Sequence, residues 1–581
     1  MTEAVVKLDS SSREIGREKH FAAALPILLL VYLAAWAFTG AHFMADTNVY
    51  TQAILRHQSG RGGVNYRLTT ANPFWDFGHI LWRPLGWLGF VLTQPGTQLL
   101  AHQNQRAEVL WTLLGINFLA ALGCVLLFFL LARKVIGDDW SAVLATMGIF
   151  CADAFLNYAH TGNAYVVGLA CLVAGIYFSC SEKVPEASLG RALIAALMFA
   201  LAVLFWLPYV FVLPAAMAAP LLLYGYDKPH MRLTTQTLVA CAAIGLAVYG
   251  SAVAVVGIRS LSDLRDWILA AGHGHMQPGG FRAAARLAFA VPRSFVNMDR
   301  DGMWLKRYLV HDPYAPVTTR SLFGLSLWKL ALFYASAVVV CVELSRSKTG
   351  RILLVLLATT VLPIFVFAIF IFESGSIERY LPLYPFVFLA FGYVLASEQS
   401  KRASKALLLF ALAAMIAVNV NAMRRGTLEA RKAEAVARIH DLLPLLGPNS
   451  LVLAVNEQDS LAEFRQNFPL DPVNLDSDWR SYDVLEINTE RLSTWREDLA
   501  KRVLATWQRG GAVWVPMRFF RAQPRPDWNW VEGDDKRISW TDLPTFFSRF
   551  ETGVAVGGED GFRLLQDSPH NRAILDPLSQ R

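Results

Sequence analysis

The sequence predicts a mainly α protein: a polytopic membrane helical bundle of about eleven transmembrane helices, with a small C-terminal α/β extracytoplasmic domain. Three observations predict it. Apolar residues make up 54% of the 581 and charged residues only 17%, too apolar a balance for an ordinary soluble protein of this size. Apolar runs of roughly 17 to 24 residues, the length a helix needs to cross hydrocarbon, recur along residues 1–424. From residue 425 the chain turns polar and mixed in charge, and its apolar residues shrink to short runs.

The long runs lie near 21–40, 109–132, 140–157, 163–180, 191–207, 209–225, 237–257, 326–344, 352–372, 381–397 and 405–422. The first is too long for a signal-peptide core and lacks a small-residue cleavage site, so it reads as a retained span. Within 191–225, Pro208 and Pro214 either separate two helices or kink a longer one.

The basic residues check the count independently. Lys7, Arg13, Arg17 and Lys19 precede the first run, and further clusters follow at Arg133 and Lys134, Lys183 and Arg191, and Lys228 and Arg232. Arg346, Lys348 and Arg351, then Lys401, Arg402 and Lys405, complete the set. All of these fall on one side if the N-terminus is cytoplasmic. The expectation is a multi-pass cell (inner) membrane protein whose outer loops 41–108 and 258–325 and tail 425–581 are extracytoplasmic, or periplasmic. The same scatter of short clusters argues that the net charge of +7 serves topology and not nucleic acid. All six cysteines sit in or beside apolar runs with no CxxC spacing, which supports neither a disulfide framework nor a zinc site.

In the tail, Leu451–Val455, Val484–Ile487, Ala512–Pro516 and Gly561–Leu565 read as strands, and Arg424–His440 and about 490–508 as helices. The tail contains no GxGxxG or phosphate loop, and no repeat or low-complexity tract occurs in the chain.

Candidate chemistry collects on the outer side. Asp46, just past the first run, sits at the water boundary, where a carboxylate can act as a general base or simply cap a helix. In the segment Asn72 to Leu85, His79 and Arg83 are four apart and would share one helical face suited to an anion, with Trp82 against lipid or bundle. An interfacial anchor is the alternative. The turn around 157–163 crowds His160 and Asn163 between two apolar runs. Glu378, Arg379 and Tyr380 lie between the ninth and tenth runs, where a guanidinium can hold a phosphate through paired hydrogen bonds or snorkel beside Glu378. Arg282, Arg286 and Arg293 mark an amphipathic interfacial helix that either guides a lipid or floats at the interface. His273, His275 and Asp266 do not share a helix face, so no metal is assigned.

Taken together, Asp46, the series Asn72, Pro73, Phe74, Trp75 with Trp82, Arg83, Pro84, Leu85, and Glu378, Arg379, Tyr380, Leu381 resemble the GT-C superfamily of polyprenyl-phosphate-sugar-dependent glycosyltransferases. The likeness is to the protein O-mannosyltransferase branch, including its TPR-bearing transmembrane members. That family's His-Thr-Glu-Ala turn has its counterpart in His160, Thr161, Gly162, Asn163, Ala164, without the Glu. The resemblance covers a GT-C-like domain over residues 1–424; the tail 425–581 has no TPR pattern. It implies hexosyl or pentosyl transfer from a polyprenyl-phosphate-linked donor to a protein, lipid or polysaccharide acceptor. Asp46 would be the base and Arg379 the ligand of the lipid phosphate, with His79, Arg83, His160, Asn163, Glu378 and Tyr380 binding substrate. No further cofactor is implied. A transporter or flippase of a lipid-linked substrate, which would need polar groups at span midpoints, and a cell-envelope scaffold acting through its tail are the rival classes.

Overall fold

The computed structural model describes residues 23–41, 44, 46–58, 74–100, 105–180, 189–271, 280–298, 318–320, 327–372, 374–424, 440–447, 449–454, 482–486, 495–521, 542–558 and 561–580. The chain divides into two compact units, one of Met1–His42, Val49–Gly302 and Ser326–Arg425, the other of Phe43–Asn48, Met303–Leu325 and Gly426–Arg581.

The first unit is a helical bundle. It contains α1 (Ala23–Phe38), most of α2 (Thr47–Gln58), α3 (Trp82–Leu100), α4 (Gln105–Ile136), α5 (Asp139–Cys151), α6 (Asp153–Ala159), α7 (Tyr165–Ser179) and α8 (Leu189–Phe205). These are followed by α9 (Leu213–Tyr224), α10 (Lys228–Val256), α11 (Leu261–Ala271), α12 (Gly280–Phe295), α13 (Leu327–Ser345), α14 (Lys348–Phe370), α15 (Tyr384–Ala396) and α16 (Arg402–Ala422). Every long apolar run coincides with a helix or a helix pair. Among the described residues, seven helical segments are long and apolar enough to cross a membrane, and the bent pair α5 and α6 makes up to eight. Ala23–Phe38, Tyr165–Ser179 and Leu189–Phe205 are shorter apolar helices.

The helix ends follow local chemistry. Asp138 caps α5 through Ser141 N at 2.8 Å, and Asp227 caps α10 through His230 N at 2.8 Å, each carboxylate meeting the positive end of a helix dipole. Gly257, at φ 79°, closes α10 in the left-handed conformation that costs other residues a clash. In the 191–225 stretch the chain breaks at Trp206, whose backbone is extended at φ −153° and ψ 110°. Pro208 then opens a 3-10 turn, Leu207–Val212, so the two prolines separate helices. Small residues let helices approach closely: a Cβ on Gly148 of α5 would lie 2.3 Å from Cε1 of Phe388 on α15.

A second break, which no proline marks, bends α5 against α6 by 65° at Ala152. It leaves the Cys151 carbonyl without its helical partner in a buried place, a costly state. Asn419 of α16 closes it, donating Nδ2 to Cys151 O at 2.8 Å and to Phe295 O at 2.7 Å, while Asn297 N donates to its Oδ1 at 2.7 Å. Asn297 in turn donates Nδ2 to Asp153 Oδ1 at 2.9 Å. The same clamp pins α12. That helix does not float: Ala283, Leu287, Ala290 and Phe295 are buried, and Tyr334 of α13 donates to Ala288 O at 2.5 Å.

The second unit holds a five-stranded sheet of order β2-β1-β3-β5-β4, from β1 (Ser450–Ala454), β2 (Tyr482–Glu486), β3 (Val513–Pro516), β4 (Thr552–Val556) and β5 (Phe562–Leu565). β1 is parallel to both β2 and β3, and β5 is antiparallel to both β3 and β4. Helix α17 (Trp495–Gln508) packs Leu499, Val503 and Trp507 with Leu451, Leu453, Val513 and Val515 of the sheet, together with Phe547 of α18 (Asp542–Phe547) and Leu575 of α19 (Pro569–Ser579). The short apolar runs are strands, as expected. β4 escapes the sequence pattern because it is an edge strand with Gly553 inside it and Val554 exposed. Most of the expected helix at 424–440 lies outside the described residues.

Replacing Asn419 with Leu should lower the thermal unfolding midpoint of detergent-purified protein markedly, because it strands two carbonyls and an N–H at about 1–3 kcal/mol each. A midpoint equal to that of wild type would show that the break does not depend on this clamp.

Candidate functional site

The segment 74–83 does not form one helix. Asp76 caps a 3-10 turn, Phe77–His79, through Gly78 N at 2.7 Å. Leu81 N then donates to Leu204 O of α8 at 3.1 Å, so α3 starts only at Trp82. His79 and Arg83 therefore do not share a helical face as their spacing predicts; the bond to α8 interrupts the helix between them. The two meet instead on Tyr50 of α2. The His79 ring meets Tyr50 edge-on at 5.6 Å, and the Arg83 guanidinium lies 5.2 Å from the centre of the Tyr50 ring. Arg83 is 3% exposed and pairs with Asp76 at 3.1 Å. His79 Nδ1 bonds to Phe205 O at 3.0 Å. Trp82 faces the bundle, fully buried, and donates Nε1 to Gly162 O at 3.0 Å.

That last bond reaches the turn between α6 and α7. Asn117 of α4 donates Nδ2 to the carbonyls of Thr161 and, at 2.7 Å, of Asn163. Asn163 donates to Thr161 Oγ1 at 2.7 Å. The His160 ring stacks on Trp36 of α1 at 5.1 Å and bonds to Thr39 Oγ1 at 3.0 Å. The turn is thus fixed from three helices.

One side chain beside the turn reaches the remaining segment, a 3-10 helix over Ile377–Leu383. Tyr158 donates its hydroxyl to Glu378 Oε2 at 2.8 Å, and its ring packs edge-on against Tyr165 at 4.8 Å. Tyr165 meets His79 at 5.7 Å. Arg379 is 6% exposed, lies with Cζ 3.8 Å from the centre of the Phe372 ring, and keeps Nε 3.9 Å from Glu378 Oε1. Tyr380 is buried and donates to Ser374 O at 2.7 Å. An aromatic row of Tyr50, His79, Tyr165 and Tyr158 therefore links Arg83 to Glu378 and Arg379, residues almost 300 positions apart in the chain.

Asp46 belongs to the second unit. It stands in a half-buried turn immediately before α2, where Thr47 closes onto Met44 O through N at 3.2 Å and Oγ1 at 2.6 Å. His273 and His275 lie outside the described residues. Among the described residues no three His, Cys, Asp or Glu side chains gather as a metal would require. Sequence reasoning missed Asp76, Tyr158, Tyr165 and Phe372 as members of the cluster. Asp76 and Tyr158 stood inside segments already singled out, but nothing in their spacing pairs them with Arg83 and Glu378.

No protein-family model matches the sequence, and no curated protein does. Among solved structures, ArnT from Cupriavidus metallidurans bound to undecaprenyl phosphate superposes with a TM-score of 0.50 at 11% identity, over 95% of this chain and 98% of that one. The apo oligosaccharyltransferase of Archaeoglobus fulgidus gives 0.47 at 11% identity, over 94% of this chain and 74% of that one. The chain has the GT-C glycosyltransferase fold, which does not single out the protein O-mannosyltransferase branch.

Arg83→Met should destabilise the protein by about 3–5 kcal/mol, because it leaves the Asp76 carboxylate buried without its cation. The paired change Asp76→Asn with Arg83→Met should recover part of that loss in thermal unfolding. No recovery would mean that the ion pair is not what Arg83 contributes.

Proposed function

We propose that this protein is a glycosyltransferase of the GT-C type, moving a hexosyl or pentosyl group from a polyprenyl-phosphate donor to an acceptor at the extracytoplasmic face of the cell (inner) membrane. The observation that carries the reading is Arg379, a permanent cation buried at a helix junction with its Cζ 3.8 Å from the centre of the Phe372 ring. A guanidinium so fixed can meet a phosphate with a pre-set fork of donors. The fold supports the same reading, since its neighbour ArnT holds undecaprenyl phosphate.

In the proposed reaction the acceptor hydroxyl attacks the anomeric carbon while the bond from that carbon to the phosphate oxygen breaks. The hydroxyl proton passes to the Asp46 carboxylate, and the polyprenyl phosphate leaves with the bonding electron pair. The transition state is oxocarbenium-like, and negative charge grows on the phosphate as the bond stretches. Arg379 is the group we assign to that charge, with Glu378 beside it. His79, Arg83, His160, Asn163 and Tyr380 form the walls of the donor site. The acceptor is a protein, lipid or polysaccharide.

The broken helix α5–α6 is a feature a transporter would also be expected to have. Here the break is filled by Asn419 and Asn297 of the bundle, whereas a transport site keeps such groups for its cargo. The enzyme reading is therefore favoured.

Purified protein in lipid nanodiscs, assayed for donor affinity and sugar transfer together, tests the assignment. Asp46→Asn should lower turnover by about 100-fold to 10,000-fold, the usual worth of a general base, with donor affinity retained. Arg379→Ala should weaken donor binding, and Arg379→Lys should rescue only partly. Normal transfer in Asp46→Asn would remove it as the base. For orientation, reporter fusions at Lys348 and Leu451 should give opposite signals; equal signals would overturn the cytoplasmic placement of the N-terminus.

A further inference from the structure

Glu378 and Arg379 are adjacent, oppositely charged and both shielded from water. An unrestrained pair of this kind would close to about 2.7–2.9 Å. It does not close: Nε stands 3.9 Å from Oε1, outside hydrogen-bond distance. The other carboxylate oxygen accepts the Tyr158 hydroxyl at 2.8 Å. On the 3-10 helix that carries them, successive side chains project about 120° apart, so Glu378 and Arg379 already leave in different directions. Tyr158 holds the first of them there.

Tyr158 itself cannot follow Glu378 inward. It is 1% exposed, and its ring is braced edge-on by Tyr165 at 4.8 Å. Tyr165 is fixed by Trp206 at 4.9 Å and by the Tyr209 hydroxyl, which donates to Tyr165 O at 2.7 Å. A Cβ on Gly168 would lie 2.4 Å from the Tyr209 ring, so that ring needs the glycine beside it. The direction of Tyr158 comes from the 65° bend between α5 and α6, which turns α6 away from the line of α5.

We infer that Tyr158 is a positioning residue: by anchoring the Glu378 carboxylate it keeps Arg379 arranged on Phe372 to receive an anionic phosphate headgroup. This rests on the reading of Arg379 as the phosphate ligand. Without the tyrosine hydroxyl, the carboxylate falls onto the guanidinium and competes with the phosphate for it. The competition needs the negative charge on Glu378, so neutralising that charge should undo the damage. A purely structural tyrosine would show no such rescue.

The test is binding of undecaprenyl phosphate to full-length protein in nanodiscs, with thermal unfolding recorded for each variant. Arg379→Ala should bind at least tenfold more weakly than wild type, and Tyr158→Phe about tenfold, the loss of roughly one charge-assisted bond. Glu378→Gln alone should bind more tightly than wild type, because the carboxylate that competes for the guanidinium has lost its charge. Tyr158→Phe with Glu378→Gln should return to within about threefold of wild type at an unfolding midpoint equal to that of Tyr158→Phe. A double variant as weak as Tyr158→Phe would overturn the positioning role, as would a Tyr158→Phe protein that binds normally while Arg379→Ala does not. Normal binding by Arg379→Ala would overturn the phosphate reading and this inference with it.

Discussion

Where a membrane helix stops or bends, backbone groups lose their partners in surroundings that offer no water, and the bundle must supply replacements. Several buried polar and aromatic side chains of the first unit answer to that constraint. Asn419 serves Cys151 O and Phe295 O, Asn117 serves the carbonyls of Thr161 and Asn163, and Trp82 serves Gly162 O. His79 bonds Phe205 O, Tyr209 donates to Tyr165 O, Tyr380 to Ser374 O and Tyr384 to Ser294 O. At the opposite, basic end of α7, Arg191 donates to Phe178 O and Cys180 O. Most of these bonds tie an irregular turn or helix end to another element, and that of Tyr380 closes within its own segment, so the irregular turns are held without regular secondary structure.

That constraint sorts the polar residues of the end of the bundle that carries the candidate site. A side chain engaged by a broken backbone holds the scaffold, whatever its chemical reputation, and His79 and Tyr380 make such bonds. Arg83 is engaged differently, by the Asp76 carboxylate at 3.1 Å. The side-chain contacts of Glu378 and Arg379 include a tyrosine hydroxyl, a phenylalanine face and, at 3.9 Å, each other. A group whose geometry is set by side chains can be tuned without unfolding a helix end. The rigid turns at 160–164 and 377–383 are thereby the support, and the Tyr158, Glu378 and Arg379 group is the part whose chemistry is left to vary.

How much of this was legible in the sequence depended on whether the cause was local. The apolar runs coincide with helices because hydrocarbon thickness imposes a length that composition records directly. The separation at Trp206 was half legible, since Pro208 and Pro214 announce a break without saying which kind. The bend at Ala152 left no signal: the run Phe150, Cys151, Ala152, Asp153 contains neither proline nor glycine, and what permits the bend is Asn419, far away in the chain. The spacing of His79 and Arg83 misled for a related reason. A bond from Leu81 N to Leu204 O restarts the helix between them, and a helical period cannot foresee a contact with another helix. Glu378 and Arg379 were visible as an adjacent pair, but Tyr158, which decides how they relate, sits 220 residues earlier.

The energetic scale explains why burial of Arg379 matters more than its presence. Two unit charges about 4 Å apart interact by roughly 1 kcal/mol in water and by about 4 kcal/mol at the effective dielectric of a protein interior near the surface. Since each 1.36 kcal/mol of barrier is about tenfold in rate, the difference between an exposed and a shielded cation is on the order of 100-fold for charge that develops on a leaving phosphate. That is comparable with the lower end of what a general base contributes. Shielding the cation has a cost, because a buried guanidinium must be compensated when no phosphate is present. The nearby Glu378 carboxylate supplies that compensation from 3.9 Å, while Phe372 covers one guanidinium face. If Arg379 binds phosphate as proposed, a closer carboxylate would stabilise the fold further and weaken that binding. On the proposed role of Arg379, the distance at which Tyr158 holds Glu378 is a compromise between stabilising the fold and binding phosphate.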